Sequence, residues 1–456
     1  MSRRRSKVAS FVDRFIVFKL FLRGLSAFIL TATALAATAT PATRTLKIAV
    51  LLPEADSSFV QAGAAIAEGV RAAALSSPEP VKVIYLPAKR GQSAISHLQD
   101  AALSGAHVAI GPIVRDAVQA ASEAPFLPLP TVALNIGDRP SVTPALMMNF
   151  SLTLEAEARQ IAEVAVSALP LTTQSGRQPS MRIFAGQSLS DQRIANAYEE
   201  VLKAHNVLYE RVELTPEMLD TTKLLYTEAP VPDSEKPKLL PVPDQYENPS
   251  GYLKATNKNR AIMSEFKARL AYREPPYHGA LLAMDNRMAA LVKPRLPRLT
   301  KTWGTSLVNP NSGSSGQVAS LTYDLKDLIF VEAPLVTITN ENTFLLRFGV
   351  EMPKSVLDKR LFAFGVDAFT LACRWARFEP DIVFLGTTGQ VEFHRSESPT
   401  VQRQGRLVEV ESKGLVITTE EAARKPIAVP NFEVIQKPKA ETKPAPEAGT
   451  SLNLLQ

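Results

Sequence analysis

Side chains able to act as nucleophiles, acid–base groups or metal ligands are few in this 456-residue chain, and they are scattered. None of the five histidines (His97, His107, His205, His278 and His394) stands at zinc-ligand spacing from another on a helix. There is also no H-E-x-x-H, cysteine cluster, P-loop or G-x-S-x-G. Cys373 is the only cysteine, so no intrachain disulfide can form, and its apolar helical setting from Ala368 to Trp375 marks it as a small buried hydrophobe. One pattern resembles a serine acylation site: Ser264-Glu265-Phe266-Lys267 is an S-x-x-K, with Lys301-Thr302-Trp303-Gly304 downstream. In such sites lysines ease removal of the serine proton. Here the two elements are only 37 residues apart, Trp303 interrupts K-T-G, and Ser264 and Lys267 fit an ordinary helix face, so the pattern reads as coincidence. These residues predict no catalytic centre, no metal and no cofactor.

Binding is the chemistry that remains. Ligands of open α/β sheets sit beyond the carboxyl ends of the strands. Ser57, Arg115, Asn135, Asp191 and Asp285 fall just past predicted strand ends and are the candidates for a ligand-orienting cleft. Each also suits a turn or a helix cap. Gly63, Gly69 and Gly111 do not build a glycine-rich phosphate loop.

The elements that must position these residues alternate short apolar runs with Ala-rich or amphipathic stretches. Strands are predicted at 46–52, 81–86, 107–110 and 131–135, with helices at 61–75 and 95–103 between them. The same order restarts with a helix at 155–169, a strand at 181–186, a helix opening at Ser190-Asp191 and a strand at 207–214. A helix at 258–272, strands at 279–285 and 302–308, and a helix at 286–292 complete it. Continuous apolar strands separated by helices indicate parallel sheets covered on both faces. The expected fold is therefore two Rossmann-like lobes with a cleft between them. Lobe 1 is expected to take 45–150 with 358–390, and lobe 2 to take 151–357 with 391–417. Two stretches read as exposed or disordered: a proline-rich insertion at 227–251 and a tail at 418–456.

Residues 1–39 read as a signal peptide, with a basic start (Arg3 to Arg23), an apolar run from Gly24 to Ala37 and A-x-A cleavage sites. The alternative is an uncleaved membrane anchor. The segment holds 7 of the 51 Lys and Arg and 1 of the 45 Asp and Glu, which leaves 44 of each and a formal net charge of zero. That removes the electrostatic case for nucleic acid as a partner. No cysteine stands directly after the signal, so no lipid anchor is expected.

Several segments in order resemble the penicillin-binding-protein activator family, the LppC/LpoA type of envelope lipoprotein, whose domain has the type I periplasmic-binding-protein fold. Leu46 to Pro53, followed by Gly105 to Pro112, resembles the opening of that fold. Gly111 to Val118, Pro130 to Asn135, Thr305-Ser306 and Asp327 to Pro334 resemble the family. Arg360 to Phe369 and Gly386-Thr387-Thr388-Gly389-Gln390-Val391, leading to Arg403, are the most specific. The resemblance implies a non-enzymatic regulator of peptidoglycan synthesis that binds a class A penicillin-binding protein in the periplasm. It departs from the family in three respects: no lipidation cysteine, no helical-repeat domain between signal and α/β domain, and Leu335 where an aromatic often follows Pro334. A protein of this kind could be soluble in the periplasm or held at the envelope by an uncleaved signal; relatives sit at the outer membrane. The competing expectation is a solute-binding receptor for an amino acid or another small polar ligand. Fold alone does not choose between them.

Overall fold

The computed structural model describes residues 45–139, 142–173, 175–215, 217–218, 225 and 230–429. The predicted signal segment and the tail from residue 430 lie outside the described residues. The chain divides into two compact units. The first takes residues up to Phe150 with Leu346–Val350 and Ala368–Pro380, and the second takes the rest.

In the first unit, β1 (Leu46–Leu52), α1 (Val60–Leu75), β2 (Val81–Pro87), α2 (Ala94–Leu103), β3 (Val108–Ile110), α3 (Arg115–Ser122), β4 (Thr131–Ala133) and β5 (Met147–Asn149) follow in order. They form a parallel five-stranded sheet, β2-β1-β3-β4-β5, in which Val50 lies between Tyr85 and Ile110. Ile48, Ala49, Val50, Val108, Ala109, Ile110 and Val132 have no exposed surface. Burial on both faces is why these strands are continuous apolar runs rather than alternating ones. Ser93 opens α2 by accepting the Ser96 N–H.

The second unit begins with α4 (Leu154–Ser167), β6 (Ser180–Ala185), α5 (Leu189–Ala204), β7 (Leu208–Glu213), α6 (Pro249–Leu270), β8 (Gly279–Ala283), α7 (Asn286–Val292), β9 (Lys301–Gly304), α8 (Val318–Asp324) and β10 (Leu328–Glu332). Then come α9 (Glu341–Phe348) and α10 (Val356–Trp375), whose second parts belong to the first unit, and β11 (Asp381–Leu385), β12 (Gln390–His394), β13 (Gln402–Gln404), β14 (Arg406–Glu411), β15 (Gly414–Ile417) and α11 (Glu420–Arg424). Its main sheet runs β15-β14-β10-β9-β8-β6-β7, parallel from β7 to β10 and antiparallel at β14 and β15. Alternate side chains supply two core layers, with Ile183, Leu281 and Trp303 in one and Phe184, Leu282 and Phe330 in the other. β11, β12 and β13 form a separate antiparallel sheet.

Four expected boundaries move. Residues 346–350, expected in lobe 2, belong to the first unit, residues 358–367 and 381–390 belong to the second, and the partition falls inside α9 and α10. The reason is bonding: Arg360 pairs with Glu332, Asp367 holds Thr387 and Thr388, and β11 pairs with β12. The expected insertion ends earlier than predicted, because Pro249 takes the first turn of α6, where its missing N–H costs nothing, and the Asn248 side chain caps the Gly251 N–H at 2.9 Å. The start of the expected tail is ordered as α11. Thr419 caps it, and Ala423, 1% exposed, joins the core cluster that contains α4 residues.

Candidate functional site

In the first unit, Ser57, Arg115 and Asn135 follow β1, β3 and β4 and so stand at one end of the parallel sheet. The Ser57 hydroxyl accepts the Phe59 N–H at 3.2 Å, a turn contact. Asn135 donates to the Ile113 carbonyl at 3.1 Å and accepts the Ile136 N–H at 3.0 Å. Arg115 opens α3 and pairs with Asp138 at 2.6 Å near the surface. In the second unit, Asp191 and Asp285 follow the neighbouring strands β6 and β8. Asp191 forms a reciprocal capping box with Ser188, and Asp285 caps α7 by accepting the Met288 N–H at 2.8 Å. Four of the five thus serve turns and caps, and the fifth holds an exposed ion pair.

Sequence reasoning singled out no site where the structure concentrates charge. Within the second unit, the family-resembling segments meet in one buried chain of hydrogen bonds. Arg403 donates to the Thr388 carbonyl at 3.0 Å and to Glu157 at 2.9 Å; the other Glu157 oxygen accepts the Ser306 N–H at 2.9 Å. The Ser306 carbonyl accepts from Arg360 at 2.9 Å, and Arg360 grips Glu332 through Nε at 2.8 Å and through a second nitrogen at 2.5 Å. Asn309 adds a bond to Glu332 at 2.6 Å and accepts one from Asn286 at 2.9 Å. At the other end, Asp367 receives four donors, the N–H and hydroxyl of both Thr387 and Thr388, at 2.6 to 2.8 Å.

Burial pushes the Asp367 carboxyl above the ordinary carboxylate range, against the pull of those four donors. Burial also works against the charge on Arg360, but Glu332 outweighs it and the guanidinium is shifted upward. Buried charges survive only when paired and hydrogen-bonded, and here three carboxylates face two guanidinium groups. Every carboxylate is engaged from within, and the chain positions α10 and the β11–β12 turn. Gly389 completes that turn: its φ is +138°, and a Cβ there would lie 2.0 Å from the Gln404 carbonyl oxygen. A signal was present in the sequence. Glu332 ends the run Leu328-Ile329-Phe330-Val331, and Asp367 sits within Phe364-Gly365-Val366-Asp367-Ala368-Phe369; acidic residues inside such apolar runs are seldom solvated.

No protein-family model matches the chain, and no curated protein matches it. Solved structures do, and they define the class as the type I periplasmic-binding-like α/β fold. A putative branched-chain amino acid ABC transporter from Chromobacterium violaceum ATCC 12472 is 21% identical at a TM-score of 0.55, covering 80% of this chain and 99% of that one. Sharing that fold is the C-domain of LpoA (YraM) from Haemophilus influenzae, a regulator of PBP1A: it is 15% identical at a TM-score of 0.54, covering 82% of this chain and 100% of the domain. Full-length LpoA from the same organism is 15% identical at a TM-score of 0.53, and the match covers 59% of its length.

Proposed function

We propose that this protein is an exported, non-enzymatic regulator that binds a class A penicillin-binding protein in the periplasm and stimulates its peptidoglycan synthesis. Likeness of fold supports this through the LpoA C-domain, but it serves a solute-binding receptor equally well. The observation that carries the choice is the engagement of the polar groups past the strand ends. A receptor orients its ligand with several converging polar groups, whereas Asn135, Asp191 and Asp285 are bonded within the fold. A regulator needs only a surface that fits the more active conformation of its target better than the less active one.

The test is paired. Immobilised protein should retain a class A penicillin-binding protein from a detergent extract of membranes and raise its crosslinking rate. If neither happens while a branched-chain amino acid raises the melting temperature by several degrees, the receptor reading replaces this one.

A further inference from the structure

The second unit contains an open cavity of about 440 Å³, within the size range of small-molecule sites. It lies at the amino-terminal ends of β8 and β9, the sheet edge opposite Asp191 and Asp285, because His278 precedes β8 and Lys301 opens β9. Leu169, Pro170, Leu299 and Ile427 make its wall apolar.

The other charges in the wall are already satisfied. Glu274 accepts from Ser175 and Arg177, and Arg424 is bonded to Glu420 and Ser167. Lys301 differs. Its ammonium gives one hydrogen bond, to the Ala423 carbonyl at 2.5 Å, and pairs with no carboxylate among the described residues. An ammonium has three donors, so two remain. Burial pushes its pKa down, partly offset by the more distant Glu409. His278 stands beside it with its side chain 10% exposed. Its Nδ1 accepts the Ser180 N–H at 3.4 Å, which leaves the proton on Nε2. That Nε2 is fully enclosed and lies 3.6 Å from the Glu274 carboxylate, so it is not open to a ligand and Lys301 is the cation left for one.

We infer that this cavity binds a small amphipathic carboxylate, with the Lys301 ammonium receiving the anion and the apolar wall covering its hydrocarbon body. A charge-assisted bond replaces the missing counter-ion, and the ligand tail covers the wall.

The probe is decanoate, titrated calorimetrically into the full protein beside decan-1-ol and decyltrimethylammonium, which share its chain and differ in charge. Decanoate should bind about tenfold or more tightly than the alcohol. Lys301→Met should abolish that preference and leave alcohol binding unchanged, and Lys301→Arg should keep it. Because Lys301 also holds the Ala423 carbonyl, Ile427→Asp serves as a second variant and should weaken decanoate and the alcohol together. Melting curves of the unliganded variants identify any that fail to fold. The inference is overturned if millimolar decanoate gives no heat, if the three head groups bind alike, or if folded Lys301→Met retains the preference.

Discussion

Arg403→Met tests how far the buried chain holds the second unit together. Arg403 and Glu157 have side chains only 3% and 7% exposed, so the substitution leaves a carboxylate in the interior with the Ser306 N–H as its remaining partner. Removing one member of a buried pair costs about 3–5 kcal/mol. The surviving bond to Ser306, and an Arg403 Nε that is already unpaired, place the expectation at the lower end, about 3 kcal/mol. With a urea dependence of about 2 kcal/mol per molar, that is a midpoint shift of roughly 1.5 M. The assay can be confined to the second unit, because one of the two tryptophans, Trp303, is in its core and the other, Trp375, belongs to the first unit. In a Trp375→Phe background, fluorescence therefore follows Trp303. Glu157→Gln combined with Arg403→Met removes both charges and should recover about 1 kcal/mol or more of the loss. A loss below about 1 kcal/mol for Arg403→Met, or a double variant no more stable than the single, would refute the reasoning.

Three further outcomes are expected. Gly389→Ala should destabilise the second unit by about 2 kcal/mol or more, since a Cβ meets a backbone carbonyl that cannot swing aside; urea unfolding of the same background checks it. His97 donates through Nε2 to the Leu86 carbonyl at 2.9 Å, and burial holds its pKa below the ordinary 6.5. Its contribution is thus present above pH 6.5 and is lost as pH falls through the lowered folded value. In a Trp303→Phe background, His97→Gln should flatten that acid slope. Cys373, expected to be buried, is half-buried, and desolvation pushes its thiol up to about 12. A thiol reagent at pH 8 should therefore label it more slowly in the folded protein than in denaturant; equal rates would contradict the raised thiol pKa.

Most of the fold was legible because its strands are buried on both faces. The run Leu46 to Leu52 and helix Asn286 to Val292 appear as read. β5 gave no signal, because Met147-Met148-Asn149 is too short to show a period. The start of α6 was obscured by prolines, although Asn248-Pro249 is itself a helix-start signal. The strand-end residues were located correctly, but their partners could not be seen: whether Asp285 caps a helix or meets a ligand depends on the backbone geometry after it. The buried chain was out of reach for another reason. Its members lie far apart in sequence, and pairing Glu157 with Arg403 needs the register of the whole second unit.

That separation has a consequence for how the molecule is made. Glu157 waits for a partner 246 positions downstream, and Thr387 and Thr388 must also arrive before Asp367 is satisfied. The first unit is in the same position, since its Leu146 carbonyl accepts the indole N–H of Trp375. The first unit cannot be completed before Pro380 has been synthesised, nor the second before Arg403. A nascent chain stopped short of Arg403 therefore carries an uncompensated interior charge. Until that residue arrives the second unit has incomplete tertiary packing, the kind of species that chaperones hold.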